Sequence, residues 1–123
     1  MNTTLWIAQA VLAAIFGIAG VWKSIPSHRT LALQLPWVED FSMSVVRFIA
    51  VTELAAAFGL ILPAATGIAP ILTPLAATGL VIVMIGAIIT HTRRKEPGAV
   101  VFNAVLLLAA AFVAWGRFGP HAL

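Results

Sequence analysis

Residues 47–63 read Arg-Phe-Ile-Ala-Val-Thr-Glu-Leu-Ala-Ala-Ala-Phe-Gly-Leu-Ile-Leu-Pro, an arginine and a glutamate inside an otherwise apolar run of helical length. Glu53 is the anomaly. With Ile49, Ala50, Ala56, Ala57 and Leu60 around it, its carboxylate must be neutral, paired or facing water, because an isolated buried charge is too costly to persist. At ~100° per residue Arg47 and Glu53 point about 120° apart, which makes them poor partners along one helix. Glu53 shares its face with Ala50, Ala56 and Ala57 instead. Small residues around a buried acid place that face against another helix or a cavity, away from lipid.

The rest of the chain repeats the apolar character of this stretch. It has 123 residues, 62% hydrophobic and 9% charged, against roughly 25% charged in a soluble domain. So short a soluble chain has too little interior to hide that many apolar side chains, and a bilayer is the solvent that fits. No cysteine is present, which excludes thiolate chemistry, disulfide exchange and Cys-based metal sites. No phosphate-binding glycine loop, Ser/His/Asp set or metal-ligand spacing appears. The chain therefore carries no catalytic motif of its own.

Hydropathy and turn signals predict an all-α fold, a bundle of four transmembrane helices forming a single domain over residues 1–123. The spans are expected at about 5–22, 41–62, 71–90 and 99–116, each close to the ~27–30 Å that a bilayer core demands. The second is expected to stop at Pro63, which cannot continue the backbone bonding. Gly17, Gly20, Gly79 and Gly86 are read as positions of close helix approach. Residues 24–40 are polar but carry Leu31, Leu33, Leu35 and Trp37, as in a short helix or turn lying on the membrane surface. Asp40 or Ser42 is the expected N-cap of the second span.

The net charge of +3 follows from topology. Lys23, Arg29, Arg47, Arg93, Arg94 and Lys95 fall at one end of the spans and Arg117 at the other. The positive-inside rule then places the first and third loops in the cytoplasm and both termini outside. Trp6 and Trp115 mark one interface, Trp22 and Trp37 the other. No nucleic-acid partner is needed to explain the basic residues.

Ranked by depth, Lys23, Arg47, His91 and Asn103 lie toward the same end of four different spans, with Glu53 deeper. The set describes a candidate ligand site: cations supply positive field, Asn103 and Glu53 orient, and His91 titrates near neutral pH. The competing reading is structural, with Lys23 and Arg47 snorkelling to the interface and Glu53 bonding another helix. No metal site is read, because His28, His91 and His121 lie at different levels. Gln9 is expected to bond across helices.

Leu5-Trp-Ile-Ala-Gln-Ala10, Ala19-Gly-Val-Trp-Lys23, Arg47 to Leu54, Gly59 to Pro63, His91 with Arg93 and Arg94, Asn103, and Gly116-Arg-Phe118 together resemble the DoxX-like family of small four-span bacterial membrane proteins. The resemblance implies the bacterial cytoplasmic membrane. It also maps the family's recurring polar positions onto Lys23, Arg47, Glu53, His91 and Asn103. Some relatives are linked to a membrane thiosulfate:quinone oxidoreductase or to oxidative-stress complexes, so a quinone ligand and an oxidoreductase partner subunit are expected. Ala/Gly-rich faces would allow a homo-oligomer. Two alternatives stand beside a quinone- or lipid-binding accessory subunit: a proton-coupled small-molecule transporter, and a purely structural membrane subunit.

Overall fold

A computed structural model describes residues 2–123. The described chain is helical throughout: α1 (Asn2–Ser24), α2 (His28–Gln34), a 3-10 turn (Pro36–Asp40), α3 (Met43–Thr66), α4 (Leu72–Arg93) and α5 (Pro97–Phe118). The helices α1, α3, α4 and α5 are each long and apolar enough to cross a membrane. All four run past the expected C-terminal ends, while α3 and α4 begin slightly later than expected. Polar terminal turns continue the backbone ladder, and caps rather than apolar composition decide where it ends. Ser42 caps α3 by accepting from the Val45 N–H at 3.3 Å. Asp40, the other expected cap, pairs elsewhere.

Each long helix packs on two others, in the ring order α1, α3, α4, α5. Leu12, Phe16, Leu60, Leu80, Leu106 and Val113 meet at its centre. Ile18, Phe48, Ile82 and Leu108 point outward and are exposed, as lipid-facing side chains should be. Three glycines permit the close approaches. A Cβ on Gly20 would lie 2.6 Å from Leu54 Cγ, one on Gly59 2.9 Å from Ala76 Cβ, and one on Gly116 2.6 Å from Leu5 Cδ2. Gly79 and Gly86 do not act this way: a Cβ at either meets nothing within 4 Å.

Pro63 does not end α3. The helix runs on to Thr66 and closes on Gly67, whose φ of 73° suits a left-handed C-terminal glycine and whose N–H donates to Pro63 O at 3.0 Å. Proline forfeits the bond that the Gly59 carbonyl would otherwise accept. Thr73 Oγ1 of α4 donates to that carbonyl at 3.0 Å. In an apolar medium a freed carbonyl needs such a replacement, and a neighbouring helix provides it.

The segment between α1 and α3 lies across the bundle's end. Ser27 caps α2, Leu31 and Val38 bury against Val46, and His28 Nε2 lies 3.1 Å from Val38 O and 2.9 Å from Phe41 O. The side-chain amide of Gln34 accepts from Trp22 Nε1 at 2.7 Å. These contacts fold the 3-10 turn back so that Trp37 and Phe41 face inward.

Candidate functional site

At the end distant from α2 the helices are in close contact, Gly59 against Ala76 and Gly116 against Leu5. Toward the α2 end it holds a cavity of about 280 Å³, lined from all four long helices and closed below by Trp37 and Phe41. Most of the wall is apolar, including Ile15, Phe16, Met84 and Leu106. Its polar groups are Lys23, Glu53, Thr90, His91 and Asn103. Gly86 and Phe102 stand at its margin and are exposed on the bundle's outer surface.

Glu53 is 1% exposed, and its Oε1 accepts from Lys23 Nζ at 2.6 Å. The pairing has a local cause. Lys23 closes the last turn of α1, and the Gly20 approach draws that turn against α3 at the level of Ala50 and Leu54. The ammonium also lies 5.4 Å from the centroid of the Trp37 ring, within cation–π range. One carboxylate oxygen is thus committed, while the second has no protein partner among the described residues.

His91 reaches the cavity from the last turn of α4. The chain reverses through Lys95, with φ 58°, and the Glu96 N–H donates to His91 O at 2.9 Å. That reversal brings Glu96 Oε1 to 2.7 Å from His91 Nδ1. A carboxylate there is met by Nδ1–H as donor, and in the neutral imidazole Nε2 is then an acceptor. Asn103 donates from Nδ2 to Ala99 O at 2.8 Å, one turn earlier in α5. Neither His91 nor Asn103 bonds Glu53 directly; they share its cavity.

Four of the five expected site residues therefore converge, and Arg47 does not. Its Nη2 donates to Pro26 O at 2.9 Å, tying the surface segment to α3 outside the cavity. The angle between Arg47 and Glu53 already separates them, and a main-chain carbonyl lies within the guanidinium's reach. Trp37 is half-buried, because the 3-10 turn points its ring at Lys23. Trp22 and Trp115 remain exposed as belt residues should be.

A second polar chain joins the surface segment to the opposite side of the bundle. Arg94 Nη1 donates to Asp40 Oδ2 at 2.9 Å, and its Nε lies 3.6 Å from Glu96 Oε1. The hydrogen bond to Asp40 holds the Arg94 guanidinium above its ordinary range, against the opposing effect of desolvation. Asp40, Arg94, Glu96 and His91 thus link the cavity's lower closure to its wall. The sequence places Arg94 only among the basic residues at one end of the spans; its 54-residue separation from Asp40 leaves no local signal of the pair.

The DoxX-like family model matches residues 7–113, a stretch that holds Lys23, Arg47, Glu53, His91 and Asn103. That match covers most of the chain, and the chain belongs to the family. No curated protein matches it, and no solved structure does.

Proposed function

From the premise that this chain is a DoxX-like family membrane protein, we propose that it binds the head group of an uncharged amphiphile, of quinone type, in the cavity above Trp37 and Phe41. One observation carries the reading: a mostly apolar cavity toward the α2 end of the bundle contains a Lys23–Glu53 pair whose second carboxylate oxygen lacks a protein partner among the described residues. The pair is neutral as a whole, so it favours a neutral ligand with both hydrogen-bond donors and acceptors. Lys23 donates to a ligand carbonyl, Glu53 accepts from a hydroxyl, and Ile15, Phe16 and Leu106 pack the ring. The volume of about 280 Å³ is at the lower end of ligand pockets. It suits a head group whose tail leaves into lipid past Gly86 and Phe102.

A carboxylate already held at 2.6 Å by an ammonium is poorly placed as a freely exchanging proton carrier. This supports the binding reading over proton-coupled transport. The chain acts as an accessory subunit that presents the ligand to an oxidoreductase partner in the bacterial cytoplasmic membrane. The six basic residues at the α2 end support a cytoplasmic position for that end, with both termini outside. Single cysteines introduced as Lys95→Cys and His121→Cys into this cysteine-free chain test the orientation by labelling from each side.

Binding is tested by equilibrium dialysis of the purified protein against a short-chain quinone. One saturable site is expected, weakened roughly tenfold or more by Glu53→Gln and by Ala87→Phe, which fills the wall. Absence of saturable binding, or binding unchanged in both variants, overturns the proposal.

A further inference from the structure

At the other end of the bundle Arg117, in the last turn of α5, is 3% exposed. Its Nε donates to Gln9 Oε1 at 2.7 Å, and its Nη1 to Asn2 Oδ1 at 2.7 Å and His121 O at 2.9 Å. Gln9 in turn donates from Nε2 to Leu60 O at 2.7 Å, which locks the cluster onto α3. Arg117 Nη2 is buried with no partner among the described residues. Every acceptor around this cation is neutral.

The chain's four acidic side chains are all elsewhere. Glu53 pairs with Lys23, Glu96 with His91, and Asp40 with Arg94, while Glu39 lies beside Asp40 in the 3-10 turn. The α5 C-terminus and the face of Trp6, 5.7 Å from the guanidinium carbon, add only partial negative charge. A buried guanidinium normally has a counter-ion, and a buried N–H normally has an acceptor. Among the described residues both are missing here. The cover over the site is slight: exposed Asn2 and the turn that brings His121 N to Gly116 O.

We propose that Arg117 is the centre of a phosphate oxyanion site, filled by the head group of a membrane phospholipid. The planar fork of Arg117 suits two phosphate oxygens. Asn2 turns aside and exchanges its amide oxygen for a charged one, and Nη2 gains its acceptor. The tryptophans Trp6 and Trp115 lie at the same end, the level at which lipid head groups meet a spanning helix. Arg117, Gln9 and Asn2 do not line the cavity around Glu53, so this site is separate from it.

Delipidated protein in detergent is titrated with short-chain phosphatidylglycerol, inorganic phosphate and phosphate-free diacylglycerol, read by thermal unfolding and native mass spectrometry. Phosphatidylglycerol is expected to bind as one equivalent and raise Tm, and Arg117→Gln to weaken that binding roughly tenfold or more. Asn2→Asp places a carboxylate where an amide oxygen now meets Nη1. It is expected to raise Tm without lipid and to abolish the lipid-dependent rise. A matching response to inorganic phosphate also supports the oxyanion site and shows that the lipid tail is dispensable. Equal responses to diacylglycerol and phosphatidylglycerol overturn the proposal. So does a lipid response that Asn2→Asp leaves unchanged, or no response to any phosphate.

Discussion

Lys23 Nζ lies 2.6 Å from Glu53 Oε1, so the deepest acid of the bundle is held by the last turn of a different helix. Removing one partner of such a pair strands the other. Glu53→Gln is expected to destabilise the protein by about 3–4 kcal/mol, because the Lys23 ammonium loses its counter-ion where water is scarce. The double variant Lys23→Met with Glu53→Gln should recover most of that loss in denaturant unfolding. Strictly additive losses would show that the pair does not act as a unit.

Gly20 and Gly79 should answer oppositely to the same change. A Cβ at Gly20 meets Leu54 Cγ at 2.6 Å and Ala50 O at 3.0 Å, so Gly20→Ala forces α1 away from α3 and costs about 1–3 kcal/mol. Gly79→Ala meets nothing within 4 Å and removes flexibility from a helix interior, so it is expected to stabilise by roughly 0.5–1 kcal/mol. Thermal unfolding of the two single variants in one detergent decides the point.

Thr73 compensates for Pro63. Thr73→Val leaves the Gly59 carbonyl without its 3.0 Å bond and is expected to cost about 1–3 kcal/mol. In a Pro63→Ala background residue 63 regains its N–H and can serve that carbonyl itself, so the same threonine change should cost much less. A double-mutant cycle measures the difference, and a cost unaltered by Pro63→Ala would refute the link.

Asp40 and Arg94 hold the surface segment in place more than they stabilise the fold. Their side chains are 48% and 24% exposed, a setting in which ion pairs contribute about 1 kcal/mol or less. Asp40→Asn should leave global unfolding nearly unchanged while amide exchange quickens at residues 35–41, beneath the cavity. Exchange unchanged in that segment would mean that the apolar cluster of Leu31, Val38 and Val46 holds it alone.

Much of the architecture is legible in the order of residues. Four apolar runs of bilayer length, a polar segment with interspersed leucines, and a glutamate among alanines are local patterns, and each has one dominant physical reading. They predict four spanning helices, a surface helix, a buried face on α3 and a polar set at one end. Lys23, Glu53, His91 and Asn103 do share a cavity, which depth along the spans was enough to suggest.

What only the tertiary structure decides is partnership. Lys23, rather than Arg47, takes Glu53 because the Gly20 contact draws those two helices together at one height. Arg117 looks like an ordinary terminal basic residue until Gln9 and Asn2 close over it. Pro63 reads as a stop until Thr73 arrives from α4 to take the orphaned carbonyl. Periodicity and hydropathy act over a few turns of one helix. The choice of a hydrogen-bond partner depends on ångström-scale approach between helices far apart in the chain, and no local pattern encodes that distance.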